Sequence, residues 1–318
     1  MSPSDMPENV ATLLGRGVRV RVPATSANLG PGFDTLGLAL SVYDEIEVSV
    51  REEPGAFVDI HGVGEGTVPT DDTNLVVTSM AYAFTAVGQP VPGVNIVAHN
   101  TIPHGRGMGS SGAAVVAGIM AAKGLLAGIF EFSDEDLLRI ATEIEGHPDN
   151  VAPALFGGLT IAWETPAGPK HKKLAVHRGV SPLVLVPEHT LSTKVARGLQ
   201  PAQVPHEDAV FNVSRSALLI AALTQSPDLL WDATEDRLHQ NYRASAMPAT
   251  HELVTALREQ GFPAVVSGAG PSILVLADGT GARTAAAAFV SEQASVPWQI
   301  HSLAVDVQGA SVAPLSAA

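Results

Sequence analysis

Pro103-His104-Gly105-Arg106-Gly107-Met108-Gly109-Ser110-Ser111-Gly112-Ala113-Ala114 is the stretch on which the reading of this chain turns. Glycines alternate with other residues. Two serines then open a small, apolar run from Ala113 to Ala122 with the character of a buried helix. Glycine lets backbone approach an oxyanion closely, and the first N–H groups of a helix have no internal partner. The helix dipole adds favourable potential at that end. The segment is therefore suited to holding phosphate, with one serine free to cap the helix and the other to face a metal or phosphate. No lysine follows the glycines, so it is not the common phosphate loop, and it lacks the strand context and spacing of a dinucleotide fingerprint. A glycine turn before a buried helix, with no ligand, is the simpler alternative.

The rest of the chain narrows the choice. Its 318 residues exceed one ordinary core, so two domains are expected. Hydrophobic residues make up 46% and charged residues 16%, which excludes a disordered chain. A net charge of −14 argues against nucleic acid and anionic membrane as partners. An acidic protein that binds phosphate must do so locally, with backbone N–H groups, a few cations and Mg²⁺. The absence of cysteine removes disulfides and thiolate chemistry. Residues 1–17 read as a flexible leader without an apolar targeting segment, and a cytoplasmic location is expected.

Val18 to Val22 alternates valine and arginine as a strand does, and a loop of turn formers, residues 23–34, follows. Strand character returns over Leu36 to Val50. Asp71-Asp72-Thr73-Asn74 caps a helix through Val87, and Val94 to Ala98 is a strand. Ser133, with Asp136 three residues on, caps another helix. Leu159 to Trp163 is a strand. Residues 164–180, with Lys170, Lys172 and Lys173, look like a loop at a domain boundary. The second half reads as a strand over Pro182 to Val186, then helices near 207–225 and 230–243. Two strands follow around the turn Ser267 to Ser272, then a helix over 281–293. The irregular alternation favours α+β.

Several polar groups could form a site. Asn28 and Asp34 lie six residues apart on a glycine loop, either gripping a small polar molecule or bonding their own backbone. Glu145, His147, Asp149 and Asn150 crowd around Pro148, where a carboxylate could hold Mg²⁺ and an amide could meet a hydroxyl. Arg197 and Arg243 supply cations in a chain poor in them and suit a carboxylate, or are simply surface residues.

In this order the pieces resemble the GHMP small-molecule kinases, from Val18 to the C-terminal helix. Residues 23–34, Pro-Ala-Thr-Ser-Ala-Asn-Leu-Gly-Pro-Gly-Phe-Asp, and 145–154, Glu-Gly-His-Pro-Asp-Asn-Val-Ala-Pro-Ala, are similar to the homoserine kinases among them. Gly-Arg-Gly-Met-Gly-Ser-Ser corresponds to the family's phosphate loop and Ser-Gly-Ala-Gly-Pro-Ser, 267–272, to its third motif. Met108 stands for the usual leucine and Gly112 for a frequent alanine, both conservative in packing.

The resemblance implies an α+β, two-domain fold. An N-terminal ribosomal-protein-like α/β domain with a left-handed crossover would span 18–165, and a C-terminal ferredoxin-like domain 166–318. It implies ATP-dependent phosphorylation of L-homoserine in threonine biosynthesis, with ATP and Mg²⁺ as cofactors, and it is compatible with a homodimer. Pro103, His104, Gly105, Arg106, Gly107, Met108, Gly109, Ser110, Ser111, Gly112 and Ala113 would wrap the phosphates. Asn74 would contact adenine, and Ser111 and Glu145 would bind the metal. Asn28, Asp34, His147, Asn150, Arg197 and Arg243 would grip homoserine. Thr193 would lie near the phosphates, and Asn150, Glu145, Ser111 and Thr193 would form the catalytic group. Another GHMP kinase acting on a different alcohol, or a non-catalytic ligand-binding relative, are the rival readings.

Overall fold

The alternation at the start of the first strand sets one face against the core: Val18, Val20 and Val22 are buried, while Arg19 and Arg21 pair on the outside with Glu47 and Glu45. In the computed structural model, which describes residues 12–315, this strand is β1 (Gly17–Ala27). The chain continues with β2 (Leu36–Arg51), β3 (Ala56–Gly62), α1 (Leu75–Ala86), β4 (Gly93–Asn100) and α2 (Ser110–Leu125). Then come α3 (Asp134–Glu145), α4 (Pro148–Phe156), β5 (Leu159–Thr165) and β6 (Gly168–Leu174). The second half holds β7 (Val180–Pro187), α5 (Thr193–Gly198), α6 (His206–Thr224), α7 (Leu230–Ala233), α8 (Gln240–Arg243) and α9 (Pro248–Glu259). It ends with β8 (Ala264–Val266), β9 (Ile273–Asp278), α10 (Gly279–Gln293), β10 (Trp298–Ser302) and β11 (Ser311–Pro314).

Two sheets result. The first runs β11-β1-β2-β4-β3, with β5 also on β2 and β6 on β5. Its β3–α1–β4 crossover joins the one parallel pair among the described residues. The second runs β10-β7-β9-β8 with every neighbour antiparallel. Its strands therefore lie in the order fourth, first, third, second, which is the ferredoxin-like arrangement. The fold is α+β, as expected.

The buried helix is α2, with Val115, Val116, Ile119, Met120 and Leu125 inside. It lies against α1 so closely that a Cβ at Gly118 would sit 2.3 Å from the Val76 carbonyl oxygen. Asn74 caps α1 by accepting from the Val76 N–H. Ser133 and Asp136 form both bonds of a capping box on α3.

Four expectations need correction. Residues 23–27 are strand, because β1 pairs with β2 as far as Ala27, and Pro23 is tolerated at a register shift between Pro23 and Ala24. Residues 168–174 form β6, not a loop. The lysines lie on an edge strand, where charge discourages further pairing, and the β5–β6 hairpin belongs to the first sheet. The helix expected over 230–243 breaks into α7 and α8. Between them Asp236 takes the N–H groups of Leu238, His239 and Gln240, which would have continued the helix. Finally, residues 1–11 of the expected leader lie outside the described residues, but 12–17 are packed. Leu13 is 1% exposed, and Arg16 donates to the Leu125 and Ala127 carbonyls at the end of α2.

Candidate active site

Two cavities meet at the first turn of α2. One is polar, about 150 Å³, and lies between the sheets. Its walls include Asp34, Ser111, Glu145, Asn150, Arg197 and Arg243. The other is apolar, about 220 Å³, with Ile46, Val58, Ile96 and Ala117 in its walls and Asn74 at its side. Ser110 and Ser111 line both.

The glycine segment makes this junction. Gly109 is the N-cap of α2 in the left-handed region, φ 70°, and no side chain caps the helix. Neither serine serves as the cap that the sequence offered, because the glycine backbone turns into the helix directly and Ser110 is already helical. The first N–H groups of α2 thus stay free of side-chain caps. Ser111 Oγ donates to Glu145 Oε2 at 2.8 Å. Burial holds the Glu145 carboxyl above its ordinary range, and Asp149 nearby adds to the effect. A crowded carboxylate beside a hydroxyl fits a hard cation. Among the described residues no cluster of three or more His, Asp or Glu side chains could hold a metal unaided. Magnesium commonly takes one or two protein oxygens and completes its shell with phosphate and water.

The HPDN turn starts α4. Asp149 is 2% exposed, and its carboxylate meets His147 Nδ1 in a short contact. That hydrogen bond raises the His147 pKa and outweighs desolvation. Asn150 Oδ1 accepts from Thr25 Oγ1 at 2.9 Å, which leaves its NH₂ group to donate elsewhere.

The loop after β1 places three non-glycine residues in the left-handed region, with φ of 70° at Asn28, 51° at Leu29 and 54° at Asp34, besides Gly30 at 83°. Asn28 enforces that path. Its Nδ2 donates to the Gly268 carbonyl at 2.8 Å and its Oδ1 accepts from the Asp34 N–H at 3.0 Å. Asn28 lines the cavity and also shapes the loop, with one N–H and one oxygen lone pair of its amide engaged in these two bonds. Asn74 is similar: Nδ2 donates to Pro69 O and Oδ1 caps α1.

Arg197, at the end of α5, makes a two-pronged contact with Asp34 at 2.9 and 3.3 Å. Arg243, on α8, differs. It is 2% exposed, and among the described residues it forms no ion pair. Its Nη1 donates to the Gly268 carbonyl and to His239 Nδ1, each at 3.4 Å. Its Nε reaches Gln200 Oε1 at 2.9 Å, with the Gln200 amide turned to satisfy both its ends. Phe33 lies 5.2 Å from the guanidinium. Desolvation lowers the Arg243 pKa, but arginine starts so high that the charge persists.

Most of the residues singled out from sequence are thus gathered in one place. Within the glycine segment the Arg106 side chain turns from the cavity onto the carbonyls of His104, Pro187 and Glu188, and Met108 and Ala113 are buried in the core rather than in either cavity wall. Thr193 lies exposed at the start of α5, in the wall of the polar cavity. Sequence reasoning missed Thr25, which orients Asn150, and His239, which is fully buried and donates to the Gly30 carbonyl at 2.8 Å. The serine-threonine stretch before Asn28 and the residues 239–242 that precede Arg243 are plain in the sequence, but nothing in them tells which side chains face inward.

Comparison with known proteins agrees with this architecture. The family model of the GHMP kinases N terminal domain matches residues 74–158, and that of the GHMP kinases C terminal matches 215–295. Homoserine kinase of Clavibacter michiganensis subsp. michiganensis is 69% identical over 302 residues, spanning 95% of this chain and 96% of the relative. That of Leifsonia xyli subsp. xyli is 69% identical over 94% of this chain and 93% of the relative. A crystal structure of homoserine kinase from Cytophaga hutchinsonii superposes with a TM-score of 0.82 at 28% identity, covering 93% of this chain and 97% of that one. Among the described residues no helix is long and apolar enough to cross a membrane. With both halves of the kinase fold matched and identity this high along nearly the whole length, the chain belongs to the homoserine kinase family of the GHMP kinases.

Proposed function

We propose that the protein transfers the γ-phosphoryl group of ATP to the hydroxyl of L-homoserine, giving O-phospho-L-homoserine for threonine biosynthesis, and that it does so in the polar cavity. The observation that carries the reading is Arg243, a buried guanidinium that among the described residues makes no direct contact with a carboxylate, although Asp34, Asp236 and Asp149 lie near enough to favour its charge. A buried cation is costly until it is paired, so the site is prepared for an anionic group from outside. The α-carboxylate of an amino acid supplies it. Asp34 suits the α-ammonium, with Arg197 alongside. The Asn150 NH₂ group, aimed by Thr25, suits the hydroxyl oxygen.

The nucleotide takes the other half. The adenine fits the apolar cavity beside Asn74, and the phosphates fit the backbone of residues 103–113 at the start of α2. Ser111 and Glu145 would hold Mg²⁺, whose chemistry there is to neutralise phosphate charge. Asn150 donates rather than accepts, so it orients the nucleophile without taking its proton, which passes to a γ-phosphoryl oxygen and thence to solvent as the bond to the ADP leaving group breaks. Phosphoryl transfer passes through a loose transition state in which positioning and charge supply most of the acceleration. His147, held by Asp149, adds a second polar group on that wall.

ADP release in the presence of L-homoserine is the direct test. In that assay Arg243→Leu is expected to raise KM for homoserine about ten- to a hundredfold, the worth of one charge-assisted hydrogen bond, with KM for ATP little changed. Equal effects on both substrates would move the carboxylate site elsewhere. Turnover of other alcohols in preference to homoserine would make the enzyme a different GHMP kinase.

A further inference from the structure

The segment expected to wrap phosphate contributes its one arginine to something else. Arg106 Nε donates to the Pro187 carbonyl at 2.9 Å, Nη2 to Glu188 O at 2.6 Å and Nη1 to His104 O at 3.1 Å. Beside it the Leu191 N–H donates to Gly105 O at 2.9 Å. The glycine segment belongs to the first sheet's half of the molecule, whereas Pro187 ends β7 of the second sheet and residues 188–191 follow it. Ser192 then caps α5, whose first residue is Thr193 and whose Arg197 holds Asp34. An unbroken line of bonded groups therefore runs from the phosphate-binding backbone through Arg106 to the end of β7, into α5, and on to the amino-acid grip.

From this geometry we propose that Arg106 is a positioning residue that makes the binding of ATP and of the amino-acid substrate mutually dependent. The idea rests on the functional reading above. A planar guanidinium spanning three carbonyls fixes both position and angle between the two backbone segments, as a single flexible ammonium cannot. When phosphate orders residues 103–109, the bonds of Arg106 and Gly105 order residues 187–191 and hence the start of α5. Homoserine, pulling on Arg197 and Asp34, orders the same segment from the other side. Each ligand then meets a partner site already arranged, and coupling of this kind is reciprocal.

Calorimetric titration of the full-length protein tests this directly. Homoserine is titrated with and without a saturating non-hydrolysable ATP analogue in the presence of Mg²⁺, and the analogue with and without homoserine. In the wild type each ligand is expected to tighten the other by about five- to tenfold, the same factor in both directions. In Arg106→Met, and also in Arg106→Lys, that factor should fall to within twofold of one. The lysine variant keeps the charge and serves if the methionine variant does not fold; binding of the analogue alone reports that either is folded. A brace that merely holds the fold together would weaken each ligand yet leave the factor at its wild-type value, and that result, or a wild-type factor of one, would overturn the proposal. A wild type that binds the analogue but shows no homoserine binding at all would instead overturn the substrate assignment.

Discussion

Asp44 lies in the wall of the apolar cavity, 8% exposed, with its Oδ1 taking the N–H groups of Thr101 at 2.7 Å and Ile102 at 2.9 Å. Burial outweighs those two bonds and pushes its carboxyl up to about 6. An unfolded aspartate titrates near 3.9, so between those values the native state keeps a proton that the unfolded chain releases. Stability therefore falls as pH rises through that window, by roughly 2–3 kcal/mol once the group is ionised. Asp44→Asn keeps the acceptor and drops the charge. It is expected to unfold at higher denaturant concentration than the wild type at pH 7.5, with the advantage vanishing near pH 4; an advantage equal at both pH values would contradict this account. At this scale the sequence disclosed which residue types gather at the site. It did not disclose orientation. Asn28 and Asn74 read as ligand-binding amides, yet each closes two bonds within the protein, and Arg106 reads as a phosphate cation yet holds carbonyls. A side chain's direction depends on backbone brought from far along the chain: Asn28 meets Gly268, and Thr25 meets Asn150.

The start of α2 shows how an element can be fixed by a residue without a side chain. A Cβ at Gly109 would lie 1.9 Å from Thr25 Oγ1 and 3.1 Å from Asn150 Oδ1, and the left-handed φ of 70° would itself strain any replacement. Gly109→Ala is therefore expected to cost about 1–3 kcal/mol in stability. It should also separate Thr25 from Asn150, lowering kcat more than tenfold in an ADP-release assay on protein shown to be folded. A folded variant with unaltered kcat would remove the Thr25–Asn150 contact from the functional account. Elements with strong local signals were legible: the helix that Asn74 caps, the capping box of α3, and the strand pair β8–β9 around residues 267–272. Elements that rely on distant partners were not. β6 is hidden by its lysines, and α8 is a single turn held by Asp236 and by packing on Phe33.

Across the whole molecule, the first sheet is closed by the last described strand. Ser311 pairs with Arg21 and Pro314 with Val18, while Val312 fills the space above Gly124 of α2. Removal of residues 311–318 is expected to destabilise the protein by about 2–4 kcal/mol, through the loss of a few backbone hydrogen bonds and of the partly buried Val312 and Leu315. Thermal unfolding of the truncated chain measures this, and an unchanged midpoint would make β11 dispensable. The division into two α+β halves was legible from length and from the alternation of elements. The return of the chain end to the first half was not, because β11 is four residues with only one partly buried. That return has a consequence for how the protein is made. A ribosome delivers β1, β2 and the whole phosphate-binding segment long before it delivers β11. Until those residues emerge, the nascent first half keeps the β1 edge of its sheet open, a site for chaperone capture or mispairing.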